Sequence, residues 1–295
     1  MTLLKRLFVI ITGLTVSFAI HTANYYYYDG EKIGEAGEPF VSDTVEVTDK
    51  ILYSAFPYQE VTYTLEVPLN MTYSQAEFQK FEGVYLTKVS DLNRADESYL
   101  QRCAFIGDSL VYGMGLSGSV YEKYSCIGDS GRVVTGLTSS RTTIYNLAPE
   151  SQRDTKTMIY WLEKLQPEII YVMFGTNGVS SIDNVRHVGY FKAQITSMME
   201  TCPNSKVVIV SAPPWAKEVR IDNINTTDIN VKINELNMLL LQLAYDMKLY
   251  FLNTAEVLKD GDGFLKDGYH FSDGLHWNND GRKLVADYIE THPIP

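Results

Sequence analysis

The chain has 295 residues, 45 % of them hydrophobic, enough to bury a sizeable core in one large domain or in one domain with a modest extension. Thirty-six acidic residues against 25 basic ones leave a formal charge of −11, which opposes contact with nucleic-acid phosphates or anionic lipid headgroups and excludes a nucleic-acid partner. Cys103, Cys126 and Cys202 have no metal-ligand spacing and are odd in number, so they suit small buried hydrophobes better than a metal site or a disulfide framework.

At the N-terminus, Lys5 and Arg6 precede an uncharged apolar run from Leu7 to Ile20, the charged-then-apolar pattern of an export segment. His21–Thr22–Ala23 is a poor cleavage site, and Tyr25–Tyr28 has the character of an interfacial aromatic belt. Residues 1–28 are therefore expected to be a signal peptide or, by a small margin, an uncleaved anchor. Membrane contact is confined to this segment, and the rest of the chain is either held outside the cell or secreted. Residues 29–94 form a linker followed by a β-flavoured extension, in which Val61–Val67 alternates with the period of a strand.

From residue 95 to 295 the pattern changes to short apolar runs alternating with helical segments. The runs are Cys103–Ile106, Tyr124–Ile127, Ile169–Phe174, Val207–Ser211 and Leu249–Leu252; the helices are expected at Thr155–Leu165, Val185–Thr201, Ile229–Met247 and Asp280–Thr291. Pro167 and Pro203 precede the third and fourth runs as helix stops. Uninterrupted apolar strands alternating with helices predict an α/β fold, a parallel five-stranded sheet covered on both faces. Ligands of such sheets bind at the carboxyl ends of the strands.

The residues with chemical potential fall at those ends. The first run stops at Gly107–Asp108–Ser109–Leu110, a small-residue turn carrying one hydroxyl. Gly128 and Gly131 follow the second run, Gly175–Thr176–Asn177–Gly178 the third, and Asp273–Gly274–Leu275–His276 lies in the last loop before the final helix. A serine hydroxyl is a weak nucleophile that needs a base held by a third group, and Asp273 and His276, three apart in one loop, can arrive as a unit.

In these four blocks the chain resembles the GDSL/SGNH hydrolase family of esterases and lipases over residues 95–291. The resemblance implies a flavodoxin-like three-layer sandwich, Ser109 as nucleophile, His276 as base and Asp273 as its orienting acid. It also implies an oxyanion hole made by the N–H of Ser109, the N–H of Gly131 or Gly128 and the amide of Asn177. Gly178 stands where the family carries Asp, and Trp277 where proline is common. Asp108, Tyr112, Trp215 and Trp277 are candidates for substrate binding, with the loop from Pro213 to Asp228 as a pocket wall. Two echoes compete: Gly128–Asp129–Ser130 repeats the nucleophile wording, and Asp267–Gly268–Tyr269–His270 repeats the acid-base spacing. No metal or organic cofactor is implied.

The expected function is an exported serine esterase removing a small acyl group, acetyl above all, from a carbohydrate or cell-surface glycan. A lipase or lysophospholipase, an acyltransferase with the same site, and a catalytically silent ligand-binding module are the alternatives.

Overall fold

The computed structural model describes residues 81–129, 134, 144–153 and 156–295. The apolar run Leu7–Ile20, the tyrosine cluster, the strand expected at Val61–Val67, and Ser130 and Gly131 lie outside the described residues.

Among the described residues six strands form one sheet: β1 (Cys103–Gly107), β2 (Ser125–Gly128), β3 (Ile144–Tyr145), β4 (Ile169–Met173), β5 (Lys206–Val210) and β6 (Tyr250–Leu252). Their order is β3-β2-β1-β4-β5-β6. The five expected strands are present and mutually parallel, whereas β3 pairs antiparallel to β2 through Ile127 with Tyr145 and Gly128 with Ile144. This sixth strand was not anticipated because two residues carry no measurable period. The sheet gains another edge contact from a segment assigned to the extension. Tyr85 bridges Phe251 in parallel, with Leu86 N–H donating to Phe251 O at 2.9 Å and Phe251 N–H to Val84 O at 2.8 Å.

The helices among the described residues are α1 (Glu97–Gln101), α2 (Ser109–Met114), α3 (Glu150–Arg153), α4 (Met158–Leu165), α5 (Asn184–Thr201), α6 (Thr226–Met247), α7 (Ala255–Leu258) and α8 (Asn279–Thr291). Their starts follow local capping chemistry. Thr157 Oγ1 accepts from Tyr160 N–H at 3.0 Å and starts α4 three residues later than expected, and Asn225 Oδ1 accepts from Thr227 N–H at 3.1 Å and starts α6 three residues earlier. Helix α4 ends at Gln166 in the left-handed region, φ 41°, immediately before Pro167.

Every residue of β1 and β4 is buried, and alternate side chains serve opposite faces. Cys103, Phe105, Tyr171, Met173, Val208 and Val210 share one core cluster with Leu110 and Met114 of α2 and Val285 and Ile289 of α8. Ala104, Ile106, Ile170, Val172, Val207 and Ile209 are equally buried on the other side, beneath the layer of α4, α5 and α6. The three cysteines are free and buried.

The backbone beyond β5 is held by asparagines of α6. Asn237 accepts from Ala212 N–H at 2.7 Å and donates to Ala212 O at 2.9 Å; Asn230 does the same for Trp215, at 2.8 and 3.0 Å. Each amide thus satisfies a main-chain pair that has left the sheet but not the interior. Asn237→Leu strands both Ala212 groups in an apolar site and is expected to lower the unfolding free energy by about 2–4 kcal/mol, read from urea unfolding.

Candidate active site

β1 delivers its last residue against its neighbour so tightly that a side chain at Gly107 would collide with Met173 O. The chain turns at Asp108, which caps α2 by accepting from Leu110 N–H at 3.1 Å, and Ser109 becomes the first helical residue, 7 % exposed. Gly128, in register with Gly107, ends β2 directly beneath the backbone of Tyr112, where no Cβ would fit. Its glycine is thus accounted for by the close approach of α2 to the sheet.

The loop that carries Asp273 and His276 is folded back on itself. His270 and Trp277 pair antiparallel, Phe271 N–H donates to His276 O at 2.8 Å, and Gly274 N–H to Phe271 O at 3.0 Å. Gly274 adopts φ 77°, a region L side chains rarely enter, and its Cα faces Glu218 O. Two further bonds tie this loop to the one after β5: Ala216 N–H to Gly274 O at 3.0 Å and Arg220 N–H to Asp273 O at 3.1 Å.

Within that frame the Asp273 carboxylate is saturated. Oδ1 accepts from Leu275 N–H at 2.8 Å and His276 N–H at 3.0 Å, while Oδ2 lies 2.7 Å from His276 Nδ1. Partial burial pushes its pKa up, but these three donors outweigh burial and the net shift is downward. With Nδ1 protonated and donating to Asp273, the lone pair of Nε2 points at Ser109 Oγ, 2.9 Å away. The chain Asp273–His276–Ser109 can therefore draw a proton off the serine hydroxyl and hold the resulting imidazolium against a carboxylate.

The competing pair does not assemble in this way. His270 Nε2 is 3.7 Å from an exposed Asp267, and its Nδ1 lies 2.7 Å from Phe271 O rather than near the serine. Asn177 is half-buried in the loop after β4, which turns at Gly175 and Gly178, both at positive φ. Tyr112 is half-buried and lines a cavity of about 280 Å³ with Gly115, Leu116, Asn146, Leu147 and Arg153. Trp277 and Trp215 are 1 % and 2 % exposed; the first packs in the core cluster with α8, and both indoles are closed off from solvent. Asn230 and Asn237, which hold the loop beyond β5, are not marked by any motif in the sequence. Polar side chains recurring at a helical spacing on an otherwise apolar face were the available signal.

The GDSL-like lipase/acylhydrolase family model matches residues 105–284, and the chain belongs to that family, whose members are ester hydrolases. Among solved structures, a candidate acylhydrolase from Bacteroides fragilis is 18 % identical, with 74 % of this chain and 96 % of that one covered at a TM-score of 0.50. A GDSL-like lipase from Bacteroides thetaiotaomicron is 21 % identical, covering 66 % of this chain and 88 % of its own, with a TM-score of 0.48. A family 3 carbohydrate esterase from Clostridium thermocellum is 17 % identical, covering 64 % and 93 %, with a TM-score of 0.43. No curated protein matches the chain.

Asp108 carries the most perturbed carboxyl near the serine. Burial raises its pKa to about 7, against the pull of the Leu110 N–H, the nearby His276 and the main chain of Asn177. The folded-state value thus lies above the unfolded one of about 3.9. Between those values the folded protein holds more protons than the unfolded chain, so this group makes stability fall as pH rises from about 4 to about 7. Asp108→Asn is expected to remove a decline that approaches about 1.4 kcal/mol per pH unit, read from denaturant unfolding across that range.

Proposed function

We propose that the protein is an exported serine esterase that removes small acyl groups, acetyl above all, from a carbohydrate or cell-surface glycan. The observation that carries the chemistry is the hydrogen-bonded series from Ser109 Oγ through His276 to Asp273, at 2.9 and 2.7 Å. Ser109 Oγ attacks the ester carbonyl carbon while His276 Nε2 takes its proton, and the collapsing tetrahedral intermediate expels the alcohol, which receives that proton back from His276. Water, deprotonated by the same ring, then attacks the acyl-serine, releases the carboxylic acid and restores Ser109. Asp273 keeps the ring in the required tautomer. The oxyanion is held by the Ser109 N–H, a glycine N–H of the second block, Gly131 in first place, and the Asn177 amide.

Support for a small, polar substrate comes from the loop after β5, which presents Lys217, Glu218, Arg220 and Asp222 to solvent rather than an apolar lid. The abundance of tyrosine, 21 residues, suits a surface that meets polar ligands. Export rests on Lys5 and Arg6 before the apolar run Leu7–Ile20, and tethering on Tyr25–Tyr28 at the position of an interface.

Ser109→Ala and His276→Ala are each expected to lose several orders of magnitude in turnover of p-nitrophenyl acetate, and Ser109→Ala to lose labelling by a fluorophosphonate; labelling retained in that variant overturns the assignment. Rates are expected to fall as the acyl chain of the p-nitrophenyl ester lengthens, and acetate release from acetylated glycans checks the substrate class. Asn177→Ala is expected to lower kcat about 100- to 1000-fold with little change in KM, measured by steady-state kinetics. N-terminal sequencing of membrane and medium fractions separates an anchored chain, retaining its first residues, from a secreted one that starts near Asn24.

A further inference from the structure

Arg282 lies in the first turn of α8, six residues after His276, where electrostatics disfavours a cation. In a chain with a net charge of −11 this half-buried guanidinium pairs with no carboxylate among the described residues. The hydrogen bond it makes, from Nη1 to Asn279 Oδ1, is long at 3.4 Å. Burial, with no charged neighbour to offset it, pushes its pKa down from the usual value.

The place it occupies is shaped for it. A Cβ on Gly113 of α2 would lie 2.9 Å from Nη2 and 3.1 Å from Nε, so the flat group rests on bare helix backbone. Glycine inside a helix weakens it relative to alanine, and no positive φ requires glycine there; the guanidinium of Arg282 takes the space a side chain would fill. The guanidinium also lies against the ring of Phe271, 48 % exposed, with its centroid 5.7 Å from Cζ. Gly113 follows Ser109 by four residues, which puts the guanidinium about 6 Å along the same helical face. Phe271 belongs to the loop of His276, the ring that returns the proton to the leaving oxygen. A cation that pairs with no carboxylate among the described residues thus stands about one helical turn from the serine, against a residue of the loop that carries His276.

We propose that Arg282 binds an oxyanion, carboxylate or phosphate, on the alcohol part of the ester, so that the preferred substrates are acyl esters of anionic alcohols. The planar guanidinium supplies two parallel N–H donors for such a group, which a lysine does not. The inference rests on the serine-esterase reading above, and it makes Arg282 a specificity residue rather than a catalytic one.

The test compares full-length wild type, Arg282→Gln and Arg282→Lys on 4-acetoxybenzoate and 4-acetoxyphenyl phosphate, each against neutral 4-acetoxybenzamide. The anionic-to-neutral ratio of kcat/KM is expected to fall about 10- to 100-fold in Arg282→Gln, chiefly through KM, and to be partly kept in Arg282→Lys. The anion with the larger fall identifies carboxylate or phosphate as the preferred group. An unchanged ratio, or an equal loss on all three substrates as a packing role would give, overturns the proposal. Binding of 4-hydroxybenzoate and phenyl phosphate to Ser109→Ala, compared with the Ser109→Ala, Arg282→Gln double variant, reads the same site without turnover. A comparable loss of affinity supports the proposal, and equal affinity overturns it. If wild type hydrolyses none of the esters faster than Ser109→Ala, the esterase reading fails, and the binding comparison still decides the role of Arg282.

Discussion

The carboxylate of Asp273 organises the end of the chain that matters most. It takes two main-chain N–H donors on one oxygen and the imidazole on the other, so a single side chain closes its own loop and aims the ring that follows. A charge-assisted arrangement of this kind is stronger than neutral hydrogen bonds and directional as well. Because three donors converge on it, the carboxylate stays ionised below the usual carboxylate range despite its partial burial. Gly274 makes the turn possible, and its neighbour Glu218 shows how closely the loop after β5 is pressed against it.

That loop is in turn fixed by amides as well as by the burial of Ala212, Trp215 and Ala216. Asn230 and Asn237 reach from α6 to Trp215 and Ala212 and satisfy their main-chain groups in both directions. Ala216 and Arg220 then donate to Gly274 and Asp273. The position of His276 relative to Ser109 therefore depends on a relay running from α6 through the loop after β5 to the last loop. Its stiffness comes from satisfying polar backbone where no water reaches. The sheet supplies the other half of the alignment: parallel strands in register bring Gly107, Gly128 and Met173 to one edge, and Ser109 leaves from that edge.

Two charged side chains near the serine depart from their usual surroundings. The carboxyl of Asp108 is buried so fully that its pKa rises to about 7, while Arg282 keeps its charge without an acidic partner among the described residues. One acid is thus pushed toward neutrality and one base is left unpaired within a turn or so of the same hydroxyl.

Local signals along the chain are enough to specify the five parallel strands, the four long helices and the four blocks that end on one edge. These signals are apolar runs too short for helices, prolines at helix ends, and glycine-bounded polar turns. The sequence also places Asp273 and His276 in one loop, because three residues is a distance local geometry can close. What it left open was decided by contacts between distant segments. The choice of His276 over His270 is one case, since both follow an acid by three residues and only the fold brings one ring to Ser109. The antiparallel β3 is another, its two residues acquiring strand geometry only from pairing with β2. Trp215 and Trp277 look from the sequence like aromatic walls of a pocket, yet their burial is a property of the assembled core. Gly113 and Arg282 are separated by most of the domain, and neither has meaning until α8 is laid across α2 and the missing side chain becomes the room the guanidinium fills.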